Sequence, residues 1–425
     1  MIINKRKLAK LVFFFFFALI VAIFNSGIIF QDYLGFADEI LLLAAVACIY
    51  LLTSWNSRIN ILLFFYVLYA AATSFISPFD PFVGYSVIQS LIHIKAFIVV
   101  YAFVLLFSLG AIPVKFIRAS FFVFSFVFFI ALFLNFLFGE AWNQALFDEG
   151  AQFRYGFVRP VGYFGHYGSN SYYFSLFMVL FLMIHMNRRV FSQRVQVKKL
   201  ASISIVDFLM AFPLTVRKGL FVLIPYSFHV FSIFSLGKKV FFFVFFVVFA
   251  SIIALAISGT EIYTDTILNL SRFFSDDHAY VRGLIFFNGV RLFSEFFPFG
   301  VGYGLYGTTF SALNVSVYEY IGISPNLIYT ESGSLTGVFD SGFASLLAEG
   351  GVIGFLFVFS IIRELFRKVG SLTNSSSFII FKIITIFTVL LSITEPVWQN
   401  GLFTSFYSIS VLYILCQQSK FKRFE

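Results

Sequence analysis

The chain has 425 residues, of which 60% are hydrophobic, 12% charged and 68 phenylalanine, and its net charge is +9. Soluble domains are about half apolar and about a quarter charged. This composition therefore excludes a water-soluble enzyme, a small secreted module and a disordered chain.

A helix that crosses a bilayer needs about 20 mostly apolar residues. Twelve such segments are expected (a range of eleven to thirteen), at about 8–24, 39–53, 59–77, 87–109, 118–138, 170–187, 200–214, 219–236, 240–258, 343–362, 377–394 and 402–417. Lys5, Arg6, Lys7 and Lys10 precede the apolar core of the first segment. No small-residue cleavage site follows it at signal-peptide spacing, which predicts a retained first helix. The reading is an all-α polytopic membrane protein, residues 1–425 forming a single integral membrane domain with no soluble domain, linker or internal repeat.

Charge placement gives the orientation. With the N-terminus in the cytoplasm and strict alternation, 21 of the 29 basic residues fall inside, seven fall outside and Lys95 lies within a span. Short cytoplasmic loops rich in Lys and Arg are the rule for membrane proteins. The positive charge is thus mainly a topology signal, not the footprint of a nucleic-acid partner. Both termini are expected in the cytoplasm. Two outer segments are long, 139–169 and 259–342, and long loops are usually functional. The second is expected to form a partly helical cap, with one helix over about 277–297.

The outer basic residues run against the topology rule. They include Arg154, Arg159, Arg217, Arg282 and Arg291. A guanidinium fork suits phosphate or carboxylate bidentately, so these residues are candidates to bind a diphosphate. The alternative is that each pairs with an outer carboxylate on a solvated surface. Arg282 and Arg291 are nine residues apart, on opposite faces of a continuous helix. Arg217 lies in a very short hairpin at the depth of a lipid phosphate.

The run Pro298 to Gly307 contains Gly300, Gly302, Gly304 and Gly307 interleaved with Tyr303 and Tyr306. A dinucleotide fingerprint is excluded, because no strand precedes it and it lies outside. Two readings remain. Tyr303 and Tyr306 could present their faces to sugars, or the run could be a structural turn. Within the spans, His93, Lys95, Asp207, His229 and Lys382 are polar. Each costs about 2.5–3.5 kcal/mol on insertion scales, so each must bond within the bundle or serve function. Cys48 and Cys416 read as small buried hydrophobes. No metal motif and no cofactor motif is present.

Three stretches together resemble the O-antigen polymerase and O-antigen ligase superfamily of bacterial envelope proteins. They are Arg159 to Asn170 (RPVGYFGHYGSN), Arg217 to Gly219 (RKG), and Arg282 followed by Pro298 to Gly304, Asp340 to Gly342 and Ala348 to Gly354. The resemblance implies a GT-C-like, metal-independent glycosyltransferase in the bacterial cytoplasmic (inner) membrane. Its donor would be an oligosaccharide on undecaprenyl diphosphate, held by the outer arginines and surrounded by membrane lipid. A chain-length regulator would be a partner. Arg282 would be catalytic, and Asp340, Glu349 or His166 would stand as general base, with the choice among them open. The ligase branch carries a His near the end of the large loop, but this sequence has none between 279 and 342. That favours a polymerase of O-antigen or capsular repeat units over a ligase. A lipid-linked oligosaccharide flippase or secondary transporter is the remaining alternative.

Overall fold

The computed structural model describes residues 5–26, 36–147, 150, 153–154, 157–164, 167–185, 202, 221–233, 235–237, 240, 244, 264, 268, 271, 281–323 and 341–418. The described chain is overwhelmingly helical. Its helices are α1 (Lys5–Asn25), α2 (Ala37–Leu52), α3 (Arg58–Ile76), α4 (Val83–His93), α5 (Lys95–Ser108), α6 (Val114–Phe138), α7 (Glu140–Phe147) and α8 (Tyr167–His185). They continue with α9 (Leu223–Ile233), α10 (Val281–Glu295), α11 (Ser316–Tyr320), α12 (Gly342–Leu372), α13 (Ser375–Leu391) and α14 (Gly401–Gln418). A two-residue hairpin, β1 (Phe153–Arg154) and β2 (Phe157–Val158), pairs Phe153 with Val158 and Arg154 with Phe157.

Among the described residues, α1, α3, α6 and α12 are each long and apolar enough to cross a membrane, and α4 with α5 passes the same test as one bent pair. Ten of the expected segments overlap described helices. The segments at 200–214 and 240–258 fall almost wholly outside the described residues.

The chain divides into two units. The first comprises Met1–Phe129, Ile285–Lys382 and Thr388–Glu425. At its centre is α5, buried at every position from Lys95 to Leu106. A helix apolar on all sides is a buried helix, and α5 packs against α1, α2, α12 and α14. Whereas α14 is likewise buried from Phe403 to Cys416, α1 buries one face only. In α1, Phe13, Phe16 and Ile20 are buried while Leu11, Phe14 and Phe15 are exposed. The five phenylalanines from Phe13 to Phe17 therefore divide between the core and the exposed face. Phe16 meets Phe103 edge-on at 5.4 Å and Phe17 meets Phe116 at 4.7 Å. Ser57, Ser341 and Asn374 cap α3, α12 and α13 by accepting from the backbone N–H three residues on.

Two expected spans differ from simple rods. The segment expected at 87–109 is broken at Ile94, where α4 and α5 meet at a bend of 62°. Ile94 leaves helical geometry, with φ −109° and ψ 5°, and Ala96 N donates to Trp398 O at 3.2 Å. The segment expected at 343–362 runs on to Leu372 and kinks at Gly351, with φ 57° and ψ −162°. Past 362 it continues as a polar helix on which Arg367 pairs with Glu364.

The second unit comprises Ile130–Leu284 and Ile383–Phe387. It holds the first long outer segment, expected as a loop over 139–169. Here α7 and the turn at Gly162 are held by asparagines. Asn135 Nδ2 donates to Asn143 Oδ1 at 2.9 Å, and Asn135 Oδ1 accepts from Gly162 N at 2.8 Å. Buried amides of this kind must be bonded, and bonding them fixes the corner.

Candidate functional site

The Gly-rich run is built into the core of the first unit. Every residue from Gly300 to Thr308 is buried. Val301 N donates to Ala348 O at 2.8 Å, and Gly302 N donates to Glu349 O at 3.1 Å. The Tyr69 hydroxyl of α3 lies 2.7 Å from Gly350 O and 2.9 Å from Phe299 O and shares its one proton between the two carbonyls. Ser86 of α4 donates to Tyr303 O at 2.8 Å. The kink at Gly351 releases carbonyls of α12, and the run takes them up. A Cβ on Gly300 would lie 2.5 Å from Glu349 O, so backbone meets backbone at that point. Irregular backbone away from water persists only where other protein groups satisfy it.

This placement corrects the sugar-facing reading of Tyr303 and Tyr306. Both rings are fully buried. Burial also pushes both phenols well above their ordinary range. Tyr303 packs edge-on against Tyr66 and His93 at 5.8 Å, and Tyr306 stacks on Tyr318 at 5.6 Å. The structural-turn reading fits the run, with Gly300, Gly302 and Gly304 all at positive φ.

Beneath the run lies a buried polar relay. Glu349 is fully buried in α12. Its Oε1 accepts from Tyr306 N at 2.9 Å and from Thr308 Oγ1 at 3.0 Å. Its Oε2 faces His93 Nε2 at 2.7 Å, and His93 Nδ1 faces the Gln399 amide nitrogen at 3.1 Å. Gln399 donates, so Nδ1 accepts and the ring proton sits on Nε2, aimed at the carboxylate. Both oxygens of Glu349 are engaged, which makes this residue a cross-link between α12, α4 and the run.

A buried charge pair lies next along the chain. Lys95, whose side chain is 3% exposed, pairs with Asp38 at the start of α2. Gly401 makes room, since a Cβ there would lie 2.6 Å from Asp38 Oδ2. Removing one member of such a pair strands the other charge. Lys95→Met is expected to destabilise the protein by about 3–5 kcal/mol, and Lys95→Met with Asp38→Leu is expected to recover most of that loss. Thermal unfolding of the two variants in detergent checks the difference.

The expected site residues distribute as follows. Arg291 is exposed and pairs with Glu295 at 2.8 Å, the ordinary surface arrangement. Arg159 is half-buried beside Pro160, whose carbonyl accepts from Asn170 Nδ2 at 3.0 Å. Arg154 lies on β1 and Arg282 on the first turn of α10, and both side chains are outside the described residues. His166, Arg217 and Asp340 are also outside the described residues, as is Asp207. Lys382 lies over the Phe378 ring at 4.5 Å. The relay brings together Glu349 and His93, which the sequence flagged separately. It also brings in Gln399 and Thr308, and the neighbouring pair brings in Asp38, all of which sequence reasoning missed. A glutamine or threonine near a span end carries no motif, and only the fold pairs it with a carboxylate. Among the described residues no group of three His, Cys, Asp or Glu side chains is placed to hold a metal ion. Neither a family model nor a curated protein matches the chain.

Proposed function

We propose that the chain is a metal-independent, GT-C-like glycosyltransferase of the bacterial inner membrane, with about twelve spans and both termini cytoplasmic. It polymerises undecaprenyl-diphosphate-linked oligosaccharide repeat units of O-antigen or capsule on the outer face. The growing chain breaks its anomeric C–O bond to the lipid diphosphate. A hydroxyl of the incoming repeat unit forms the new glycosidic bond and gives its proton to a base. Undecaprenyl diphosphate leaves with the bonding electrons. The outer arginines would neutralise the charge that develops on this leaving group.

The observation that carries this reading is the anchoring of residues 298–308. This stretch of the expected outer loop is clamped to α12 by backbone bonds and to α3 and α4 by the Tyr69 and Ser86 hydroxyls. Transfer chemistry needs arginines held at fixed positions. A transporter's loop has no such need. One observation favours the transporter or flippase reading instead: α4 and α5 form a broken helix with buried His93 and Lys95, a pattern found at substrate sites of carriers.

The test is the surface-glycan ladder of a strain lacking the gene. A single repeat unit on the lipid core, with no ladder above it, is the expected result. Complete loss of surface repeats would overturn the polymerase reading. Lipid-linked units would then accumulate outside for a ligase and inside for a flippase.

A further inference from the structure

The large loop's helix α10 meets the bundle through a narrow stripe. Ile285, Gly289 and Leu292 are buried, while Phe287, Val290, Arg291, Ser294 and Glu295 are exposed. At the centre of the stripe is a glycine. A Cβ on Gly289 would lie 3.1 Å from Ala344 O and 3.3 Å from the Tyr306 ring. The contact is close, and the buried Ile285 and Leu292 side chains pack to either side of it. A polar bond ties this stripe to the core: Tyr306 OH donates to Ile285 O at 2.6 Å. The backbone N–H of Tyr306 is in turn held by Glu349 Oε1 at 2.9 Å, and Glu349 is held by His93 at 2.7 Å. Gln399 completes the chain at 3.1 Å.

We propose that the buried relay Gln399–His93–Glu349–Tyr306 is a positioning device that sets the register of α10 and thereby the affinity for a polyprenyl diphosphate. This rests on the diphosphate reading above. Ile285 is one helical turn from Arg282 and two turns from Arg291. A slip of one residue moves the helix about 1.5 Å along its axis, and misplacement of about 1 Å can cost about a hundredfold in rate. Glu349 is thus a positioning residue. Its engaged oxygens serve the loop, not a substrate proton.

The experiment measures binding of undecaprenyl diphosphate to the purified full-length protein in detergent, per folded molecule, alongside the thermal unfolding midpoint. Tyr306→Phe removes one hydroxyl and keeps the packed ring. It is expected to weaken binding about fivefold to tenfold, the worth of one hydrogen bond, with little change in midpoint. Glu349→Leu is expected to weaken binding at least as much. Glu349→Gln is expected to restore most of it. The amide oxygen still accepts from Tyr306 N and Thr308, and the amide N–H can donate to His93 once its ring proton moves to Nδ1 and the Gln399 amide turns over. Wild-type affinity in Tyr306→Phe, with Arg282→Ala weakened, would overturn the relay and leave the diphosphate reading standing. The relay also falls if Glu349→Leu lowers the midpoint but not the affinity of the folded fraction. If the wild type does not bind, or Arg282→Ala binds normally, the diphosphate reading fails and the relay's role fails with it.

Discussion

Replacing Gly351 with alanine will prevent normal accumulation of the protein in the membrane. Gly351 sits at φ 57° and ψ −162° within α12, a region essentially reserved for glycine. A Cβ there would lie 2.2 Å from Pro298 O and 2.7 Å from Gly300 N. Neither neighbour can retreat, because the Gly300 backbone itself lies against Glu349 O and Ala348 O. Backbone strain of about 1–3 kcal/mol adds to an overpacking cost of about 1–3 kcal/mol. The sum is a large part of the 5–15 kcal/mol that stabilises a typical domain. The control is Gly237→Ala, where an added Cβ meets nothing within 4 Å. Immunoblots of membrane fractions and unfolding midpoints in detergent give the comparison. Equal levels of the two variants would show that α12 and the Gly-rich run are not in backbone contact.

That contact marks the limit of what the sequence makes legible. Apolar runs declare helices, so α1, α3, α6 and α12 are found where hydropathy places them. The glycines at 300, 302 and 304 declare a turn. They do not say where the turn goes, because a glycine selected for a left-handed φ and one selected for close approach look the same. The tyrosines mislead for a related reason. An aromatic ring beside a flexible turn suits a sugar face or a packed core equally, and here Tyr303 and Tyr306 fill the core. The break at Ile94 leaves no Pro or Gly as a signal. It follows from the need of His93 and Lys95 to reach Glu349 and Asp38, on two different helices. Glu349 was legible as a carboxylate beside a Gly-Gly pair. Its role as a cross-link depends on three partners drawn from distant parts of the chain.

Arg282→Ala and, separately, Arg217→Ala are expected to abolish long-chain polymer while protein levels stay normal. Loss of one donor to developing negative charge costs about a hundredfold to a thousandfold in rate. At that rate the growing chain is released long before it reaches full length, and the ladder collapses to its lowest bands. The fork matters as well as the charge, so Arg→Lys at either position is expected to shorten the ladder without removing it. Arg363→Ala removes one exposed charge from α12, at its expected cytoplasmic end, and serves as the control for charge loss alone. The comparison with Arg291 sharpens the assignment. Arg291 already has a carboxylate partner in Glu295, and binding a phosphate there would require breaking that pair. Arg291→Ala is accordingly expected to act more weakly than Arg282→Ala. Full-length chains from both Arg282→Ala and Arg217→Ala would overturn the diphosphate assignment. The buried charges of the broken helix would then carry the functional argument, and with them the carrier reading.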